Sequence, residues 1–313
     1  MAFNLSRGDL SRRALLASSA AALLPRTALA QNAKDATPIL KRKVPQTGYM
    51  LPVVGIGTSI VFEFEEDAAK LEERKAVVRA LVAGGGSLID TAAGYGTAEN
   101  NVGLVSDETG LRARLFLATK FSSRDSHADA ETEMRQSLGR LRTTYVDLQQ
   151  AWNVSDPNFS CAHQKAWKAA GLCRHFGITS SFDSAYEALV PVLKREKPEF
   201  FQINYSLGDR DAEKVLLPLA QDSSCAVLTN LPFGRASMFR RVQGKPLPDF
   251  AREIDCTSFA QLFLKYNLSH PAVTAVIPGT DKPQYMLDNL NAGRGRMPDA
   301  AMRRTIEKWW ETV

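Results

Sequence analysis

Cysteine is scarce in this chain, with four in 313 residues, too few for a disulfide framework. Histidine is equally scarce. His127, His163, His175 and His270 show none of the short spacings that clasp a metal, so no metal site is expected. Twenty glycines and 15 prolines are ordinary numbers that exclude a collagen-like or low-complexity chain. No apolar run approaches the ~20 residues a membrane-spanning helix needs. Residues 14–24 are only 11 long and include two serines. Neither sign of charge dominates, with 39 Lys+Arg against 34 Asp+Glu. What is present is 44% apolar content, enough for a folded core and too much for a disordered chain. The length suits one large domain or two ordinary ones.

The positive excess is concentrated at the start. Ser11-Arg12-Arg13-Ala14-Leu15-Leu16 leads into a stretch rich in Ala and Leu up to Leu24, and Ala28-Leu29-Ala30 follows. A charged start, a short apolar core and a small-residue cleavage site in that order describe a bacterial export signal. The Ser-Arg-Arg order resembles a twin-arginine signal. Residues 1–30 are therefore expected to be a leader read by the twin-arginine export machinery. The mature chain would be periplasmic or secreted, with no stable membrane anchor. Arg7, Arg12, Arg13 and Arg26 against Asp9 give the leader +3 of the net +5, so the remaining 283 residues carry only +2. That balance removes the electrostatic ground for a nucleic-acid partner. Residues 31–42 are polar and read as a linker, and 43–313 as a single domain.

Beyond the linker, strand-like and helix-like segments alternate. Val53–Gly57, Ser87–Thr91, Leu115–Phe121, Tyr145–Asn153, Cys173–Thr179, Phe200–Tyr205, Ala226–Asn230 and Val273–Pro278 read as strands with helical periodicity between them. Phe233–Cys256 reads as a long irregular insert and Asp299–Thr312 as an extra terminal helix. Eight strand–helix units make an α/β chain of the (β/α)8 TIM barrel type, with a short N-terminal strand pair and the extra C-terminal helix. An open doubly wound sheet is the alternative. It would carry a G-x-G-x-x-G turn after the first strand, and Gly55-Ile56-Gly57-Thr58 lacks the third glycine.

In such a barrel, chemistry gathers at the carboxyl ends of the strands. The second strand ends in Asp90 with Tyr95 in the following loop, and the third ends in Lys120. A phenol with its ordinary pKa of ~10 is a poor acid at neutral pH, and a neighbouring ammonium lowers that barrier. An Asp paired with the Lys would fix its position, and the Tyr could then protonate an alkoxide forming beside it. Taken without Tyr95, Asp90 and Lys120 also read as a buried ion pair of the barrel rim. The four cysteines read as small apolar packing residues, with Cys161 and Cys173 the pair nearest in sequence should export oxidise one.

The segments LPVVGIGTS, LIDTAAGYGTAENNVG, LATKF, VDLQQAW, GLCRHFGITSS, FQINYSLGDRDAE and VIPGTDKPQYMLDNL resemble, in order, landmarks of the aldo-keto reductases. The likeness runs from about residue 43 to 292. It implies a barrel that binds NADP(H) at its carboxyl-end face and moves hydride between nicotinamide and a small carbonyl or alcohol. Asp90, Tyr95 and Lys120 match the family's catalytic Asp, Tyr and Lys. Gly57, Thr58, Asp90, Thr179, Ser180, Gln202, Asn230, Gly279, Thr280, Lys282 and Asn289 fall where the family binds its cofactor.

Four positions depart from that pattern. Trp152 stands where the family has a catalytic His, and an indole donates one hydrogen bond but carries no proton. Ser180 replaces the Asn of a Ser-Asn pair that holds the carboxamide. Asn230 replaces an aromatic that stacks on the nicotinamide. Tyr285 replaces an Arg for the 2′-phosphate, which leaves Lys282 as the charge and NAD(H) as the alternative cofactor. These departures also motivate a barrel that binds a nucleotide or other ligand without turnover. A third reading is a barrel enzyme of another class using Asp90 and Lys120 as acid and base, since one barrel hosts many chemistries.

Overall fold

The computed structural model describes residues 37–124 and 127–313. Residues 1–30, expected to be a leader, and the first part of the expected linker lie outside the described residues. Strands β1 (Lys41–Lys43) and β2 (Met50–Pro52) form an antiparallel hairpin. Its turn carries Gly48 at φ 78, a left-handed angle that glycine adopts freely. Strand β1 takes in Lys41 and Arg42, which the sequence reading assigns to the linker. Tyr49 in the turn packs 5.4 Å from the ring of Phe116 and 5.9 Å from His175, near the starts of their strands. The hairpin thereby covers the amino-terminal end of the barrel.

Eight parallel strands follow in sequential order: β3 (Ile56–Gly57), β4 (Leu88–Asp90), β5 (Phe116–Ser122), β6 (Val146–Trp152), β7 (Cys173–Ser180), β8 (Phe200–Asn204), β9 (Ala226–Asn230) and β10 (Val273–Val276). Bridges Val54↔Val276 and Gly57↔Gly279 join the first strand to the last. A Cβ on Gly57 would sit 2.8 Å from the carbonyl of Ile277, so this seam needs glycine for its close backbone approach.

Between the strands run helices α1 (Ala68–Ala83), α2 (Ala98–Glu108), α3 (His127–Arg140), α4 (Ala162–Ala169), α5 (Tyr186–Glu196), α6 (Leu216–Asp222), α7 (Ser237–Arg241), α8 (Phe259–Leu268) and α9 (Pro283–Asn291). Asp67 begins α1 by accepting from Lys70 N at 3.0 Å, and Ser258 begins α8 by accepting from Gln261 N at 3.1 Å, which satisfies donors the helix leaves open. The insert read as irregular holds two ordered pieces, α7 and a 3-10 helix at Asp249–Ile254. Both are too short for periodicity to reveal. The extra helix α10 (Ala300–Thr312) packs on α8, with Trp310 5.7 Å from the ring of Phe263 and Arg303 donating to Tyr266 O at 2.7 Å. Among the described residues no helix is long and apolar enough to cross a membrane.

The two-residue period of the strands sorts side chains into two cores. One set, including Phe116, Ala118, Leu148, Phe200 and Leu228, fills the barrel interior. The other, including Leu117, Ile178, Phe201 and Val227, packs beneath the helices. Above the apolar interior, the same inward-facing rows continue into polar residues: Asp90, Lys120, Gln150 and Gln202, each 2% exposed or less. The inward rows thus change from apolar to polar toward the carboxyl ends of the strands.

Candidate active site at the carboxyl ends of the strands

Lys120 lies two residues short of the end of β5, on the inward-facing row. Its Nζ donates to Asp90 Oδ2 at 2.7 Å and to Thr91 O at 2.8 Å. Gln150 Nε2 donates to Asp90 Oδ1 at 3.2 Å and Gln202 Nε2 to Asp90 Oδ2 at 3.1 Å. The carboxylate is thus met on both oxygens, as a buried charge requires. Lys120 Nζ also stands 5.0 Å from the centre of the Tyr95 ring. Burial pushes the Lys120 ammonium down, but Asp90 and Tyr95 outweigh burial and hold it above the usual lysine value. The ammonium is therefore a fixed positive charge beside the phenol.

Tyr95 reaches this position from the loop between β4 and α2, where its N–H donates to Ala92 O at 3.1 Å. Trp152, the last residue of β6, presents its ring at 5.7 Å and 89° to that of Tyr95, the edge-to-face geometry aromatic pairs favour. The indole also lies against Gly94, whose missing Cβ would fall 2.2 Å from Trp152 Cζ3. The indole N–H has no hydrogen-bond partner among the described residues.

These groups line a cavity of about 720 Å³, within the usual range for small-molecule sites. It brings together Asp90, Tyr95, Lys120 and Trp152 with Gly57, Thr58, Thr179, Asn230 and Gly279. Five sequence-derived positions lie outside its wall. Ser180 Oγ is used in the turn after β7, accepting from Phe182 N at 3.2 Å. Gln202 points to Asp90 instead of upward to a carboxamide, though its Oε1 is buried with no partner. Thr280 Oγ1 accepts from Lys282 N at 3.4 Å, a local turn before α9. Asn289 is buried on α9. Lys282 is ion-paired with Glu73 at 2.8 Å, so its charge is already matched.

The sequence reading missed several wall residues. Gln150, beneath the wall, also went unread: it lies two residues before Trp152 on the same inward row and donates to Asp90, and strand alternation could have found it. Strand alternation alone would turn Asn153 away, yet with φ at 55° it lies in the wall. Ser181 takes the place in the wall expected for Ser180. Arg235, in the loop after β9, lines the cavity with no ion-pair partner among the described residues. The four cysteines are free and buried. Among the described residues no group of three or more His, Cys, Asp and Glu is placed to hold a metal.

The structure resembles an aldo-keto reductase from Klebsiella pneumoniae solved with NADPH, at a TM-score of 0.72 and 24% identity, over 88% of this chain and 95% of that one. It also resembles the Bombyx mori aldo-keto reductase solved with NADP, at a TM-score of 0.67 and 21% identity, over 88% and 94%. In sequence, the chain is 30% identical over 233 residues to the methylglyoxal reductase YeaE of Escherichia coli, covering 72% of this chain and 80% of that one. It is 32% identical over 247 residues to an aldo-keto reductase of Mycobacterium avium, covering 77% and 80%. Residues 53–309 match the model of the aldo/keto reductase family; with the barrel and these relatives, this means that the chain belongs to that family.

Proposed function

We propose that this oxidoreductase moves hydride between NADP(H) and a small carbonyl or alcohol, with Tyr95 as the proton donor. The observation that carries the reading is the buried Lys120 ammonium, held 2.7 Å from Asp90 beside the Tyr95 ring in the cavity wall. The donor set suits a nicotinamide dinucleotide. Gly57 and Gly279 present backbone in the wall, and Thr58, Thr179 and Asn230 offer hydrogen bonds along it. Arg235 offers a free cation to a phosphate, whereas Lys282 is occupied by Glu73. The reduced nicotinamide, when bound, supplies the hydride.

The residues of the chain then have separate tasks. Tyr95 Oη gives its proton to the carbonyl oxygen as that oxygen becomes an alkoxide. Lys120 stabilises the phenolate left behind, because a fixed ammonium favours the anion. Asp90, Gln150 and Gln202 keep Lys120 in place and charged. Trp152 Nε1–H replaces the family His as a neutral donor, and its ring narrows the space above Tyr95. Losing one well-placed donor to an oxyanion costs on the order of 10²–10³ in rate, so turnover is expected to be lower than with imidazole.

Purified protein should bind NADPH and oxidise it when a small aldehyde is added. Tyr95→Phe should abolish oxidation while keeping binding. Absence of binding to either reduced nicotinamide at ~1 mM would overturn the reading, since such sites work at micromolar to millimolar levels. Trp152 also favours a second reading, a barrel that binds nucleotide and ligand without turnover. Binding without oxidation in the wild type, with oxidation gained in Trp152→His, would select it. The proposal includes export of the mature chain by way of residues 1–30. Arg12→Lys with Arg13→Lys should leave the precursor uncleaved in the cytoplasm, and normal processing of that variant would refute it.

A further inference from the structure

Asn153 is the first residue past β6. Had the strand continued, its side chain would point away from Trp152 and out of the barrel. Its φ is 55° instead, a left-handed angle that Asn adopts more readily than other non-glycine residues. The side chain therefore joins Trp152 in the cavity wall. Once there it is pinned. Ser181 N donates to Asn153 Oδ1 at 3.0 Å, and Ser181 Oγ donates to the same oxygen at 3.0 Å. A backbone N–H can only be met by the amide oxygen, so the orientation of the amide is fixed. Its Nδ2 is then directed elsewhere, with no acceptor among the described residues. Asn204, 5% exposed, braces the arrangement by donating from Nδ2 to Ser181 O at 3.0 Å.

The pair forms a small polar patch in a wall otherwise flanked by Trp152 and Phe182. Asn153 Nδ2 supplies donors, and Ser181 Oγ, having spent its proton, supplies lone pairs. Among the described residues no cation bonds to either side chain, so the patch suits a neutral oxygen function and not a carboxylate. A hydroxyl, which both accepts and donates, matches it best. We propose that Asn153, turned inward beside Trp152 and oriented by Ser181, positions the substrate by donating to a hydroxyl carried in addition to the reacting carbonyl, so that the site prefers hydroxy-aldehydes to plain alkyl aldehydes. The inference rests on the carbonyl-reductase reading.

Two variants test it. Asn153→Gly keeps the left-handed backbone and removes the amide. Asn153→Asp keeps an oxygen toward Ser181 and replaces the donor with a carboxylate oxygen. With glyceraldehyde and butanal as probes, each variant should lower the glyceraldehyde-to-butanal ratio of kcat/KM about tenfold, mainly through KM for glyceraldehyde, the effect of one lost hydrogen bond. Calorimetry should likewise show that glycerol binding to the complex with oxidised nicotinamide weakens relative to butanol. An unchanged ratio, or an equal loss for both aldehydes, refutes the role of Asn153. A rise in the cofactor Kd without a change of ratio also refutes it, because the amide would then serve the nicotinamide. If the wild type reduces neither aldehyde with either nicotinamide, the reductase reading itself falls. An active wild type whose ratio survives Asn153→Gly removes only this inference.

Discussion

Gly94→Ala tests how the Trp152 ring is seated. The backbone of Gly94 is outside the left-handed region, so alanine meets no conformational penalty and the effect is one of contact alone. The new Cβ would stand 2.2 Å from Cζ3, 2.6 Å from Cη2 and 3.3 Å from Cε3 of Trp152. Carbon atoms in good contact sit ~3.5–4.0 Å apart, so the ring must give way by more than an ångström. Such a shift disturbs the present edge-to-face contact with Tyr95. Overpacking of this size costs about 1–3 kcal/mol, and the aromatic pair it breaks contributes about 0.5–1.5 kcal/mol. Urea unfolding of Gly94→Ala should show a loss in that range, with a changed near-UV circular dichroism signal. Gly94→Ala combined with Trp152→His should recover part of the loss, because imidazole does not reach the new methyl. Unchanged stability and spectrum in Gly94→Ala, or strict additivity in the double variant, would refute the packing argument.

Four further outcomes follow from the geometry. Lys120→Met leaves the Asp90 charge buried with one ionic partner gone, and should lower unfolding stability by about 3–5 kcal/mol; Asp90→Asn in the same chain should restore much of it, and a Lys120→Met protein as stable as wild type would contradict the pairing. The Lys120 pKa is raised in the folded state, so its contribution is complete below the ordinary lysine value of about 10.5 and is lost as pH climbs through the raised value; the urea midpoint should fall in that alkaline range in wild type and less in Lys120→Met, and identical profiles would count against it. Glu73→Gln frees Lys282 from its ion pair and should tighten NADPH relative to NADH a few-fold in a fluorescence titration, with an unchanged ratio placing the 2′-phosphate elsewhere. Burial pushes the thiols of Cys161, Cys173, Cys225 and Cys256 up to about 12, so at pH ~8 a thiol reagent should label none in the native protein and all four in urea; one fast native thiol would be inconsistent with the packing.

The trio of Asp90, Tyr95 and Lys120 was legible because two rules suffice to place it: strands alternate with period two, and barrel chemistry gathers at carboxyl ends. Gln150 obeys the same rules and was within reach, since it shares an inward row with Trp152. Asn153 was not, because alternation assigns it outward and only a left-handed backbone angle reverses that. Ser180, by contrast, was within reach: Thr179 pairs with inward-facing Gln202 and Ser180 with Ile203, which packs beneath the helices, so alternation alone turns Ser180 from the cavity and leaves Ser181 to line it. The meaning of Gly94 depends on a ring delivered by another strand, and no local pattern records it. Lys282 carried the right charge for a phosphate, but its partner Glu73 lies on a helix 209 residues away in sequence.

Trp152 touches one half of the candidate site and spares the other. Lys120 is held by Asp90 and Thr91, and Asp90 by Gln150 and Gln202; none of these contacts passes through residue 152. The proposed proton delivery from Tyr95 would therefore retain its electrostatic support whatever the ring beside it. The other half, where the proposed carbonyl would be oriented, holds a bulky neutral indole, a glycine that makes room for it, and an inward-turned Asn153 beside it. A His restored at 152 alone would supply a stronger donor but leave a void over Gly94, and voids in a packed wall loosen the positions around them. The gain in polarisation and the loss of orientation then oppose each other. Restoring imidazole without refilling the space above Gly94 should accordingly raise kcat less than the donor chemistry alone implies.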